Sequence, residues 1–205
     1  MANVIEKAED YLSNATISHE MLRDKLSEFL AVEKGGLKLY EQALRIVSDS
    51  DLRNRFSEFR DQTRKHEAIL RRVIQALGMD PTYLSPGAKL ATEKAEALLR
   101  TMRDGLSAKW AEINAVENII LAETKDHADW ELLGKVARQT NDVRIRDALK
   151  DAVSEVEPEE DEHLNWTREQ MGRLGSMQLR SKENKTWVLE TLIDAKSHEE
   201  KHYAP

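Results

Sequence analysis

Four long stretches of this chain carry apolar residues at the three- and four-residue spacing of a single helix face. They come as two pairs, each joined by a short polar turn, with one long connection between the pairs. The first stretch starts at an N-cap, Ser18, and runs to about Val47 with the stripe Leu22, Leu26, Phe29, Glu33, Gly36, Tyr40. The second, about 51–77, has Leu52, Phe56, Phe59, Thr63, His66, Leu70, Val73, Leu77. The third, about 106–138, reads Leu106, Trp110, Ile113, Glu117, Ile120, Thr124, and the fourth, about 143–175, reads Leu149, Val153, Val156, Glu160, His163, Thr167, Leu174. The turns at 48–50 and 139–142 are short enough to force antiparallel neighbours. The connection 78–105, with a weaker helical pattern over 88–103, has 28 residues. It can travel the ~38 Å of a 25-residue helix, so the third helix need not run antiparallel to the second. An all-α, four-helix bundle with one long crossover is the predicted architecture, over residues 18–178. An N-terminal extension (1–17, amphipathic from Val4 to Leu12) precedes it. A helical tail (179–205) follows, with an apolar face at Trp187, Val188, Leu192 and Ala195.

Composition narrows the chemistry. The chain of 205 residues has no cysteine, which excludes disulfides, thiolate nucleophiles, cysteine-ligated zinc, iron–sulfur clusters and blue-copper centres. Any bound metal must take carboxylate and imidazole. A net charge of −7 argues against a nucleic-acid partner, and no apolar run approaches the ~20 residues of a membrane span. The N-terminus lacks a signal-peptide core, so a cytoplasmic location is expected.

The informative residues are polar ones inside the apolar stripes. Glu33, His66, Glu117, Glu160 and His163 fall near stripe centres, and no lysine or arginine shares those stripes to neutralise them. An unpaired buried carboxylate costs several kcal/mol, so three of them need a partner. One reading is a wet or ion-paired polar layer. The other is a metal site, because Glu160 and His163 at i and i+3 share one helix face and can hold the same ion. Sulfur-free carboxylate–imidazole sets suit iron, manganese or zinc. His127, ten residues past Glu117, lies ~15 Å along the helix and belongs to an edge of the core. Pro158 either kinks the fourth helix or marks its true start. The terminal His198-Glu-Glu-Lys-His202 matches the zinc-protease pattern, but without a downstream ligand it reads as a solvated helix end.

In combination these residues resemble the ferritin-like superfamily, the bacterioferritins and rubrerythrins. Their bundles carry Glu on the first helix, Glu-x-x-His on the second, Glu on the third and Glu-x-x-His on the fourth. The matching positions are Glu33, His66, Glu117, Glu160 and His163, with Tyr40 at the offset of the tyrosine beside the family's di-iron centre. The resemblance covers about residues 20–175. It implies two irons per chain, with manganese or zinc as alternatives, and Fe²⁺ reacting with O₂ or peroxide in a ferroxidase- or peroxidase-like, stress-associated role. It also implies Tyr40 as a hydrogen-bonding or electron-donating residue. For assembly the resemblance leaves cages and dimers open, and the apolar face of the tail, which needs a partner surface, favours a homodimer. The departure is Thr63, which stands where the family places the second helix's Glu; Gln62 and Glu67 flank that position. The competing expectation is a bundle that has lost catalysis and serves as a structural or partner-binding protein.

Overall fold

The computed structural model describes residues 17–103 and 107–180, and among these it forms five helices: α1 (His19–Ile46), α2 (Ser50–Ala76), α3 (Pro86–Arg103), α4 (Ala108–Gln139) and α5 (Val143–Leu179). The chain's own side chains punctuate them. Ser18 caps α1 by accepting from the Met21 amide, Asp49 caps α2 through the Asp51 and Leu52 amides, and Asp142 caps α5 through those of Arg144 and Ile145. Gly78, at φ 75°, ends α2 in the left-handed conformation that glycine adopts without steric cost. Ser85 sits before Pro86, its hydroxyl donating to the Asp24 carbonyl and accepting from the Ala88 amide, which starts α3 against α1. α5 is one continuous helix through Pro158, so the proline does not mark its start.

Polar contacts at the helix ends give the directions. His19 meets Asp142 at one end of the molecule, while Ser48 and Glu112 meet at the other, so α1 and α4 are antiparallel. Arg173 reaches Asp49 and Arg144 reaches the Ala76 carbonyl, so α2 and α5 are antiparallel too. The crossover through α3 therefore makes α4 parallel to α2, as the length of the connection allows. α3 packs along α1 at close quarters: a Cβ on Gly35 would stand 2.7 Å from Ala95 Cβ. None of the described helices is long and apolar enough to cross a membrane.

Among the described residues the apolar core comes in two large blocks and a small alanine cluster, Ala31, Ala88 and Ala91, between α1 and α3. One block, towards the start of α1, gathers Leu26, Phe29, Leu70, Leu133 and Leu149; the other, towards its end, gathers Leu39, Phe56, Phe59, Val116 and Ile119. Between them lies a fully enclosed polar layer of Glu33, Thr63, His66, Glu123, Asp126, Glu160 and His163, each no more than 4% exposed. The Trp187–Ala195 face, the His198/His202 pair, Val4–Leu12 and Leu106 lie outside the described residues.

Candidate metal centre

Each long helix of the bundle contributes to the polar layer. From α1 comes Glu33, whose Oε1 accepts from the Trp130 indole N–H at 2.9 Å. From α2 comes His66. Its Nε2 lies 2.7 Å from the carboxylate of half-buried Glu159, which can only accept, so the ring proton sits on Nε2 and the Nδ1 lone pair faces inward. His163 on α5 is held the same way, Nε2 against Gln62 Oε1 at 2.9 Å, which again leaves Nδ1 free. The two imidazoles stack with centroids 5.7 Å apart. From α4 come Glu123 and Asp126, and Tyr40 donates its hydroxyl to Glu123 Oε1 at 2.8 Å.

These groups converge without satisfying one another. Ligand atoms of Glu123, Glu160 and His163 all lie within 4.8 Å of each other. His66 Nδ1 is 2.8 Å from Glu160 Oε1, and His163 Nδ1 is 3.3 Å from Glu123 Oε2, yet neither contact has hydrogen-bond alignment. Of eight buried side-chain N or O atoms without a hydrogen-bond partner among the described residues, seven belong here: Glu33 Oε2, Glu123 Oε2, Asp126 Oδ1, both oxygens of Glu160, and the Nδ1 atoms of His66 and His163. Native interiors leave few such atoms, and each normally costs ~1–3 kcal/mol. Seven lone pairs aimed into one layer are what a bound cation would satisfy.

The electrostatics agree. Burial, reinforced by neighbouring carboxylates, pushes Glu33, Asp126 and Glu160 well above the usual carboxylate range. Burial also pushes His66 below its ordinary value, keeping it a neutral ligand. The Tyr40 phenol is pushed well up by burial and then by Glu123. As metal ligands, the four carboxylates Glu33, Glu123, Asp126 and Glu160 would supply four negative charges, matching two divalent cations. The donor set, oxygen and imidazole without sulfur, fits iron.

The structure corrects one sequence expectation and completes another. Glu117 is exposed and does not join the layer; α4 turns Ile113, Val116, Ile119, Glu123, Asp126, Trp130 and Leu133 inward instead. α4 is covered by α1, α3 and α5, so apolar residues occupy a broad arc and a stripe can be drawn in two phases. The phase through Trp110, Glu117 and Thr124 is the solvent-side one, since Trp110 and Thr124 are exposed. A signal in the sequence could have chosen. Antiparallel helices place residues equidistant from their turn at one level: Glu33 and Thr63 are each 15 from Ser48, while Glu160 is 19 past Asn141, whose counterpart is 122, next to Glu123. Glu117 lies about 7 Å off that level. Thr63 donates its hydroxyl to the Phe59 carbonyl, and the carboxylate missing at that position is offset by Asp126, one turn beyond Glu123. Gln62 reaches His163, Glu67 pairs with Arg71, and His127 bonds Asp161 outside the centre.

A family model described as a domain of unknown function, DUF892, matches residues 18–171, three-quarters of the chain. The chain belongs to the DUF892 family. Its fold is that of a ferritin-like bundle. Among solved structures, the DUF892 chain is similar to the bacterioferritin-related protein from Bacteroides fragilis, described as a dodecameric thioferritin. The two share 19% identity, the match covers 85% of this chain and 99% of that one, and the TM-score is 0.53, which supports a common fold. No curated protein matches the chain.

Proposed function

We propose that this protein is a non-haem iron protein whose bundle centre holds two irons per chain and oxidises Fe²⁺ with O₂ or peroxide. The observation that carries this reading is the convergence of seven buried, unpartnered donor atoms from four helices. Glu33, His66, Glu123, Asp126, Glu160 and His163 are the ligands in this reading. When bound, iron supplies one-electron chemistry towards oxygen species. The chain's own residues do the rest. Glu159 and Gln62 fix the two imidazoles in the tautomer that presents Nδ1, Trp130 orients Glu33, and Tyr40 orients Glu123 and stands ready as an electron and proton donor beside it. The two apolar blocks exclude bulk water from the layer. We place the protein in the cytoplasm as a homodimer with a stress-associated role.

Metal analysis of the purified protein tests this directly. Two irons per chain are expected, unchanged in a His198→Ala/His202→Ala variant, and aerobic Fe²⁺ oxidation should be lost in Glu160→Ala. Absence of iron uptake at the bundle centre would leave the catalytically degenerate bundle as the correct description.

A further inference from the structure

On the side of α1 turned away from the polar layer, a groove of about 590 Å³ opens between α3 and α4. Val32 and Gly36 of α1 are part of its floor. Leu90 on the α3 bank and Leu121 on the α4 bank are 56% and 60% exposed, so two large apolar side chains flank an apolar trough. Lys25, Lys94 and Lys125 also line it. Glu28 pairs with Lys25 and Lys125, whereas Lys94 has no ion pair with a described residue. The same α1 face continues through Lys25 to Met21, itself 61% exposed, in the first turn of the helix. The described chain begins one turn earlier, at Ile17.

The sixteen residues before that point have the pattern this trough would accept. Val4, Ile5, Ala8, Tyr11 and Leu12 fall at i, i+1, i+4, i+7 and i+8, one face of a helix, with Glu6, Glu9 and Asp10 against a single Lys7 elsewhere. We propose that residues 4–12 fold back on the bundle as an amphipathic helix, laying that face between Leu90 and Leu121 and their acidic residues towards Lys94. The lengths agree. From Lys25 to Leu39 the groove follows α1 for ~21 Å, a helix over 4–12 is ~13 Å long, and residues 13–16 can span ~13 Å, enough to reverse direction. A short tether holds the segment at millimolar effective concentration, so even a weak apolar contact is well occupied. The segment covers a wall of the bundle only one backbone thick: Gly36 lines the groove, and its missing Cβ would lie 3.5 Å from Thr63 Cγ2 on the inner side.

Hydrogen–deuterium exchange on the full chain reads this out. Amides of residues 4–12 are expected to exchange at least about tenfold more slowly than an unstructured peptide. They should return to the unstructured rate in a Leu90→Glu/Leu121→Glu variant whose helices α1–α5 stay protected. A milder Leu121→Ser variant gives the same comparison if the double charge disturbs the fold. Four results would each overturn the proposal. Residues 4–12 could exchange freely in the wild type, or keep their protection in the variants. Their protection could vanish on dilution, making a second copy the occupant. The variants could instead deprotect residues 187–195, making the tail the occupant.

Discussion

Replacing Glu160 by glutamine should stabilise the metal-free protein while removing its response to metal. Glu160 is 1% exposed, both of its oxygens lack hydrogen bonds, and Glu123 and Glu33 repel its charge. The isosteric amide of the Glu160→Gln variant keeps the shape and drops the charge. Oε1 stands 2.8 Å from His66 Nδ1, so with a small rotation an amide N–H can donate to that lone pair, as an ionised carboxylate cannot. Relief of the burial cost that pushes the Glu160 carboxyl up, together with one hydrogen bond, amounts to roughly 2–3 kcal/mol. For a chain of this size that raises Tm by roughly 4–12 °C. Metal acts in the opposite sense on the pair. At a hundred times its dissociation constant a ligand adds about 2.7 kcal/mol to the wild type, but little to a variant that has lost a ligand shared by both histidines. Calorimetric melting of chelator-treated and Fe²⁺-loaded samples, kept anaerobic, checks both halves. Equal Tm values for the two metal-free proteins, or equal metal-induced shifts, would refute the reasoning that Glu160 is a frustrated ligand rather than a structural residue.

Glu117→Gln should leave iron stoichiometry and oxidation rate unchanged, because the residue faces solvent, whereas Glu123→Gln should lose at least one iron per chain by elemental analysis. Tyr40→Phe removes the only hydrogen bond to Glu123 Oε1 among the described residues; urea melts should show a loss of ~1–2 kcal/mol, and stopped-flow absorbance a slower Fe²⁺ oxidation. Asp129, buried beside Lys125, is pushed up to about 6, so folding favours its protonated form. Its contribution to stability is present below pH ~3.9 and is lost as pH rises through 6; Asp129→Asn should flatten that loss of ~2–3 kcal/mol in melts between pH 4 and 7. Gly78→Ala should cost ~1–2 kcal/mol in chemical denaturation, since its φ of 75° disfavours any Cβ, with metal content unaffected.

Local physics let the sequence alone determine most of the bundle. Serine and aspartate N-caps, a glycine at the end of α2 and 3.6-residue periodicity are encoded within a few residues of where they act, so helix count, hairpins and the long crossover followed from pattern. His66, Glu160 and His163 were identifiable because each interrupts a narrow apolar stripe, and Glu33 because it sits at a stripe centre of the more broadly buried α1. α4 was different. Its burial on several sides makes its stripe ambiguous by one residue, and a one-residue change rotates the helix by 100°, exchanging Glu117 for Val116 and hiding Glu123 and Asp126. Stripe periodicity did not choose the phase; tertiary packing fixes it by setting Trp130 against Glu33 and Glu123 against Tyr40. Packing also decided that Thr63 leaves the carboxylate count intact. A missing ligand on one helix can be supplied by another helix at the same level, and level is a property of the assembled bundle, not of any one helix.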